Sequence, residues 1–191
     1  GVFKEKKDLA DYMERTGKPL ILNIDDERLY SIKSNYKKDS EIITFGKNVE
    51  ADFVISDVVV DDNGTHFSFS YYDNTIPVNL KIFGEGYAYN AMAAIIAANL
   101  LQVGIEDCVK YVEEYEGGNG RFEKLEYGDN LVIINDAYNA SPISMSMSVT
   151  TFGNIYGGKD DYHTIVVLGD MKELGNVSEK KHMELGDLVK M

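Results

Sequence analysis

One stretch limits what this chain can fold into more than any other: residues 131–145, Leu-Val-Ile-Ile-Asn-Asp-Ala-Tyr-Asn-Ala-Ser-Pro-Ile-Ser-Met. Its apolar run, Leu131 to Ile134, stops abruptly at Asn135 and Asp136. After a short polar turn, Ser141-Pro142 precedes a resumed apolar pattern at Met145, Val149 and Phe152. A serine accepts hydrogen bonds from the unpaired N–H groups of a first helical turn, and proline at the next position has no N–H to leave unpaired. The pattern predicts strand, loop and helix, with an Asp at the strand's carboxyl end and free amides at the helix start. In open α/β sheets anionic ligands bind at that place, so the stretch is a candidate site.

The segments around it extend the pattern. Phe122 to Tyr127 and Thr164 to Leu168 read as strands and a final helix starts at about Ser178, so strand 131–134, its helix and strand 164–168 predict a right-handed parallel βαβ unit. Upstream, residues 4–16 carry Leu9, Tyr12 and Met13 among charges, an amphipathic helix closed by Gly17. Leu20 to Leu22 is a short strand running into Asn23-Ile-Asp-Asp26, and residues 28–52 are mixed, with Ile42 to Phe45 as their strand. Val54–Val60 and His66–Tyr72 flank Asn63-Gly64, a strong hairpin signal. Ile76 to Phe83 is a further strand, placed at an edge by Pro77. Asn90 to Leu101 is an alanine-rich helix, and Ile105, Cys108, Val109 and Val112 mark another. The glycine-rich Glu116-Gly-Gly-Asn-Gly120 reads as a joint, which divides the chain into domains 1–117 and 118–191.

Composition narrows the function. A formal charge of −13 excludes a general nucleic-acid or anionic-membrane surface, which needs a basic stripe, but leaves room for a nucleotide pocket built on one Arg. Cys108 is the only cysteine, so no intrachain disulfide forms and a reducing compartment is expected. The longest apolar run, Ala91 to Ala98, is far too short to span a bilayer, and no basic-then-apolar leader opens the chain. A cytoplasmic location is the expectation. Helical character begins at once after Gly1-Val-Phe and continues to Asp187–Met191, so both edges read as cut from something longer.

Individual motifs separate by context. Gly153-Asn-Ile-Tyr-Gly-Gly158-Lys159 has the spacing of a phosphate loop, but Asp160 stands where Ser or Thr is needed and the stretch does not follow a strand. His66, His163 and His182 lack metal-ligand spacing, and no metal ligands are assigned. Met145 and Met147 read as core, and Asp25-Asp26-Glu27 as a solvated loop end, with a nucleotide or metal support as its alternative. Asp136 is suited to the hydroxyls of a ribose, although its spacing alone fits a turn or capping Asp better. Arg121, after the glycine joint, reaches either a phosphate or solvent. Spacing alone leaves both pairs open.

The motifs together resemble a known family. Asp136-Ala-Tyr138-Asn139-Ala-Ser-Pro142-Ile-Ser144-Met145, then Val167-Leu-Gly-Asp-Met-Lys-Glu-Leu-Gly175 and His182, are similar to the C-terminal domain of the Mur ligases, nearest the type that adds D-alanyl-D-alanine. Asn23-Ile-Asp-Asp26, Asn90-Ala-Met-Ala-Ala94 and Gly120-Arg121-Phe-Glu123 agree in order. The resemblance implies an α/β chain made of the later part of a central ATPase domain followed by the first part of a Rossmann-like C-terminal domain. It implies ATP and Mg2+ as cofactors, with UDP-N-acetylmuramoyl-tripeptide and D-alanyl-D-alanine as substrates joined through an acyl phosphate in peptidoglycan precursor synthesis. By the same resemblance Asn90 contacts adenine, Arg121 approaches the phosphates and Asp136 holds the ribose, while Tyr138, Asn139 and Ser144 border the nucleotide and the incoming dipeptide. The nucleotide site is then shared by two domains across a hinge.

Departures accompany the matches. Gly86-Tyr87 occupy the positions where the family has His-Asn, and Ser141 replaces the motif's second Asn. The family's phosphate loop, magnesium-binding Glu and modified Lys have no counterpart in this stretch, so the chain alone is expected to be inactive, with no catalytic residue of its own. The alternatives are a non-catalytic Mur-like binding module and a Mur-type ligase with a different amine.

Overall fold

The apolar runs pair into two sheets in the computed structural model, which describes residues 2–36 and 41–190. Strands β1 (Leu20–Asn23), β2 (Ile42–Gly46), β3 (Phe53–Asp61), β4 (Gly64–Tyr71) and β5 (Asn74–Leu80) lie in that order in one sheet. Strands β6 (Glu123–Tyr127) and β7 (Leu131–Asn135) form the other. The helices are α1 (Val2–Thr16), α2 (Glu27–Asn35), α3 (Gly86–Leu100), α4 (Ile105–Glu114), α5 (Pro142–Tyr156) and α6 (Ser178–Val189). The readings of the chain's two edges rest partly on Gly1 and Met191, which lie outside the described residues. The architecture is α/β. It divides into two units, Gly1–Val58 with His66–Asn79 and Ala88–Glu113, and Val59–Thr65 with Leu80–Tyr87 and Glu114–Met191.

In the first unit, α1 ends as the sequence predicts. Gly17 takes φ +62°, the Lys18 N–H reaches the Met13 carbonyl at 3.0 Å and the Gly17 N–H reaches Glu14 at 3.2 Å, the paired bonds of a Schellman cap. Strands β1 and β2 pair in parallel, Leu20 opposite Ile42 and Asn23 opposite Phe45, with α2 as the crossover between them. The stretch 28–52, read as mixed, therefore holds a helix. Its apolar spacing is sparse, and what starts it is Asp26, whose carboxylate accepts the N–H groups of Arg28 (2.9 Å) and Leu29 (3.0 Å). Residues 37–40 of that stretch lie outside the described residues. Leu20, Leu22, Ile24, Ile32 and Ala10 form a buried cluster, and both α1 and α2 cover β1. Strands β3, β4 and β5 follow through two-residue connections, which only antiparallel neighbours allow. The hairpin expected at Asn63-Gly64 is there, and β5 is an edge strand as Pro77 required. Phe53 stacks on Tyr71 with ring centroids 4.1 Å apart. Helix α3 buries Met92, Ile95 and Ile96 completely.

In the second unit the expected parallel βαβ unit does not form. Strand β7 pairs antiparallel with β6, Glu123 opposite Asn135 and Tyr127 opposite Leu131, through the Gly-Asp-Asn turn at 128–130. Residues 164–168 form no strand: Ile165 is 71% and Val167 91% exposed. A parallel strand is apolar on both faces and needs cover on both. Residues 164–168 have that composition without the cover, so the ladder is missing. The core of the unit is Phe83, Phe122, Ile155 and Tyr156, with Val132, Ile134 and Phe152 against it. Helix α5 runs through Gly153 to its cap at Gly157, so the phosphate-loop spacing there belongs to a helix end.

Candidate functional site

The second unit assembles its polar residues where β7 ends. The chain leaves β7 at Asn135, whose side-chain amide donates to Glu123 Oε2 at 3.1 Å, and the same oxygen accepts the Gly120 N–H at 3.0 Å. The Tyr138 N–H closes the arrangement on the Gly120 carbonyl at 3.0 Å. Gly120 sits at φ +71°, a left-handed conformation that a side chain would strain, and a Cβ there would stand 3.4 Å from the Tyr138 nitrogen. Thus the 118–123 turn and the β7 exit are laced by side chain and backbone together.

Asp136 is at the centre of that lacing. The Phe122 N–H donates to its Oδ1 at 3.0 Å and the Ser148 hydroxyl, from α5, donates to its Oδ2. Phe122 can aim its N–H this way because its backbone is left-handed, φ +51°, a conformation that costs a bulky residue on the order of 1–3 kcal/mol. Its ring, buried against Phe83 with centroids 5.7 Å apart, holds it there. Arg121, one residue earlier, is exposed and lies with its guanidinium carbon 4.0 Å above the Tyr138 ring. Tyr138 is 67% exposed.

Tyr87, one of the two departures, faces the same charges. Burial pushes its phenol above the ordinary value, the Asp136 carboxylate adds to the rise, and the Arg121 cation opposes it. The helix start beyond is a capping box: Ser144 N–H to Ser141 Oγ at 3.2 Å, and Ser141 N–H to Ser144 Oγ at 3.1 Å. Ser141 thus caps α5 as the sequence predicts, and Ser144 spends its hydroxyl within the cap. Asn139 accepts the Ala140 N–H at 2.9 Å.

Of the sequence's candidates, Arg121, Asp136, Tyr138, Asn139 and Ser144 all stand on this one turn-and-helix start. Asn90 is exposed on α3, in the other unit. That unit has its own strand-end carboxylate. Asp25 accepts the N–H groups of Lys47 (2.7 Å) and Asn48 (2.9 Å) and the Tyr89 hydroxyl (2.8 Å). Burial pushes the Asp25 carboxyl upward, but those three donors outweigh it and hold it below the usual carboxylate range. Asp25 braces a loop and Asp26 caps a helix, which accounts for both without a ligand. Sequence reading missed Ser148 and the Phe122 amide as partners of Asp136. Only the position of Ser148 about two helical turns past Ser141, on the same face, pointed to it.

The residues suit a nucleotide: a cation lying on an aromatic ring for phosphate and an ordered carboxylate for hydroxyls. Among the described residues no group of three or more His, Cys, Asp or Glu stands close enough to hold a metal ion. Among the same residues no helix is long and apolar enough to cross a membrane.

Comparison with known proteins gives this arrangement a family. The Mur ligase middle domain matches residues 1–98, just over half of the chain, and the Mur ligase, glutamate ligase domain matches residues 120–191. The chain belongs to the Mur ligase family. Within it, the chain is 32% identical over 190 residues to the UDP-N-acetylmuramoyl-tripeptide–D-alanyl-D-alanine ligase of Bacillus subtilis, covering 99% of this chain and 39% of that one. It is 29% identical over 153 residues to the UDP-N-acetylmuramoyl-L-alanyl-D-glutamate–2,6-diaminopimelate ligase of Halalkalibacterium halodurans, 80% of this chain and 30% of that one. Its fold matches the crystal structure of the MurF ligase of Thermotoga maritima in complex with ADP, TM-score 0.74 and 26% identity over 90% of this chain and 38% of that one. The chain spans less than half the length of these relatives.

Proposed function

We propose that this chain is the nucleotide-gripping part of an ATP-dependent ligase that joins D-alanyl-D-alanine to UDP-N-acetylmuramoyl-tripeptide in cytoplasmic peptidoglycan precursor synthesis. Residues 1–117 belong to its central ATPase domain and residues 118–191 to its Rossmann-like C-terminal domain. The observation that carries the reading is the turn at 120–138, where an exposed Arg121 and a carboxylate ordered by two donors, Asp136, stand side by side at a strand end. The identity to the Bacillus subtilis ligase over nearly the whole chain supports the choice of amine.

In this reading a substrate carboxylate oxygen attacks the γ-phosphorus of ATP and ADP leaves, giving an acyl phosphate. The amine of the dipeptide then attacks the acyl carbon, phosphate leaves and the nitrogen loses a proton. Phosphoryl transfer depends chiefly on positioning and charge. Asp136 takes the ribose hydroxyls, Arg121 the phosphates and Asn90 the adenine, while Tyr138, Asn139 and Ser144 border nucleotide and dipeptide. Magnesium supplies phosphate charge neutralisation when bound.

The test is ADP release by the complete gene product that carries this chain, given UDP-N-acetylmuramoyl-tripeptide and ATP. Release that depends on D-alanyl-D-alanine is the expected result, and release seen instead with UDP-N-acetylmuramoyl-L-alanyl-D-glutamate and 2,6-diaminopimelate would move the enzyme to another amine, the reading favoured by the identity to the diaminopimelate-adding ligase. No release with any amine would leave the non-catalytic module that Gly86-Tyr87 suggests. The isolated chain is expected to release no ADP.

A further inference from the structure

We infer that Ser148 is a positioning residue of the nucleotide site, setting the Asp136 carboxylate in the plane from which it takes a ribose. The inference rests on the nucleotide reading above. A carboxylate at the end of a strand rotates freely unless both its oxygens are held. Here each oxygen has one donor, the Phe122 amide on Oδ1 and the Ser148 hydroxyl on Oδ2. Two donors fix the plane and still leave about half of the four lone-pair directions for hydroxyls of a ligand.

Serine inside a helix is a poor helix former, and its hydroxyl normally turns back to the carbonyl of the preceding turn. In α5 the Ser148 hydroxyl goes across to Asp136 instead. Ser144, one turn earlier, is committed to the capping box, so the two serines divide the work: one starts the helix, the other reaches the carboxylate. Asp25, with three donors on its two oxygens, shows what a strand-end carboxylate looks like when bracing is its only task.

The experiment is calorimetric titration of the complete gene product with ATP and with 2′,3′-dideoxy-ATP, which lacks both hydroxyls. A site that hydrogen-bonds hydroxyls discriminates against the analogue without them. Ser148→Ala is expected to weaken ATP binding about 3- to 10-fold, the range of one hydrogen bond, and to leave 2′,3′-dideoxy-ATP within about 2-fold of wild type. Ser148→Thr keeps the hydroxyl and restores the discrimination, whereas Ser148→Val, of the same shape, does not. That matched pair decides the matter if the alanine variant fails to fold. Discrimination kept by Ser148→Val but lost in Asp136→Ala would overturn the role of Ser148 alone. Discrimination kept by Asp136→Ala as well would overturn the ribose reading and this inference with it.

Discussion

Two regions of the molecule use the same local grammar, strand then polar turn then capped helix, and arrive at different structures. At residues 20–46, β1 passes through α2 into β2 and the two strands pair in parallel. At residues 131–168, β7 passes into α5, but β7 pairs backwards with β6 and residues 164–168 form no strand. Cover makes the difference. Leu22 of β1 is 4% exposed beneath α1 and α2, whereas Ile133 of β7 is 42% exposed. The strand-end carboxylates differ in the same sense: Asp25 is occupied with three donors from its own unit, and Asp136 keeps acceptor capacity at an exposed turn. The well-covered region is the one whose strand-end carboxylate is spent on bracing, and the open one carries the proposed nucleotide site.

That contrast breaks most readily at the strands. Leu22→Ala is expected to cost about 2–5 kcal/mol, the loss for a large buried aliphatic, and Ile133→Ala less than about 1 kcal/mol, measured by denaturant unfolding of the same protein. Equal costs would mean that β7 is as deeply covered as β1.

The carboxylates come next. Asp25→Asn replaces an acceptor with a donor facing amide N–H groups and is expected to destabilise by about 1–3 kcal/mol. Because Asp25 is held below its ordinary value, its contribution is present above the unfolded-state value of about 4 and fades as pH falls through the lower folded value. The stability of wild type therefore drops on acidification by more than that of Asp25→Asn. Parallel pH profiles would remove the brace. Arg121→Ala should lower turnover of the complete enzyme about 10-fold or more, with a smaller change in nucleotide affinity, since a cation near a transferring phosphoryl group acts on developing charge. An unchanged rate would return Arg121 to the solvent side of its Tyr138 stack.

Much of this was legible from the residues. The Gly17 helix stop, the Asn63-Gly64 hairpin, the edge strand with Pro77 and the Ser141-Pro142 helix start each follow from one or two residues with a local cause. What was not legible depends on partners distant in sequence. Helix α2 hides behind a weak apolar pattern and is started by one Asp26 side chain. The pairing of β7 depends on what covers its faces, which a run of Leu-Val-Ile-Ile does not state. Asp136 was visible as a candidate, but its two holders were not: the Phe122 amide depends on a left-handed backbone, and Ser148 lies in an unremarkable run of alternating serines and methionines.

In the proposed site Asp136 is the grip on the nucleotide's sugar. Titrating ATP into the complete gene product with Asp136→Ala tests it most directly. The expected outcome is binding weakened at least about 10-fold, as for hydrogen bonds to a charged group, with the protein still folded. An affinity for ATP equal to that of wild type would contradict it and leave Asp136 as the tie between β7, the 120–122 turn and α5.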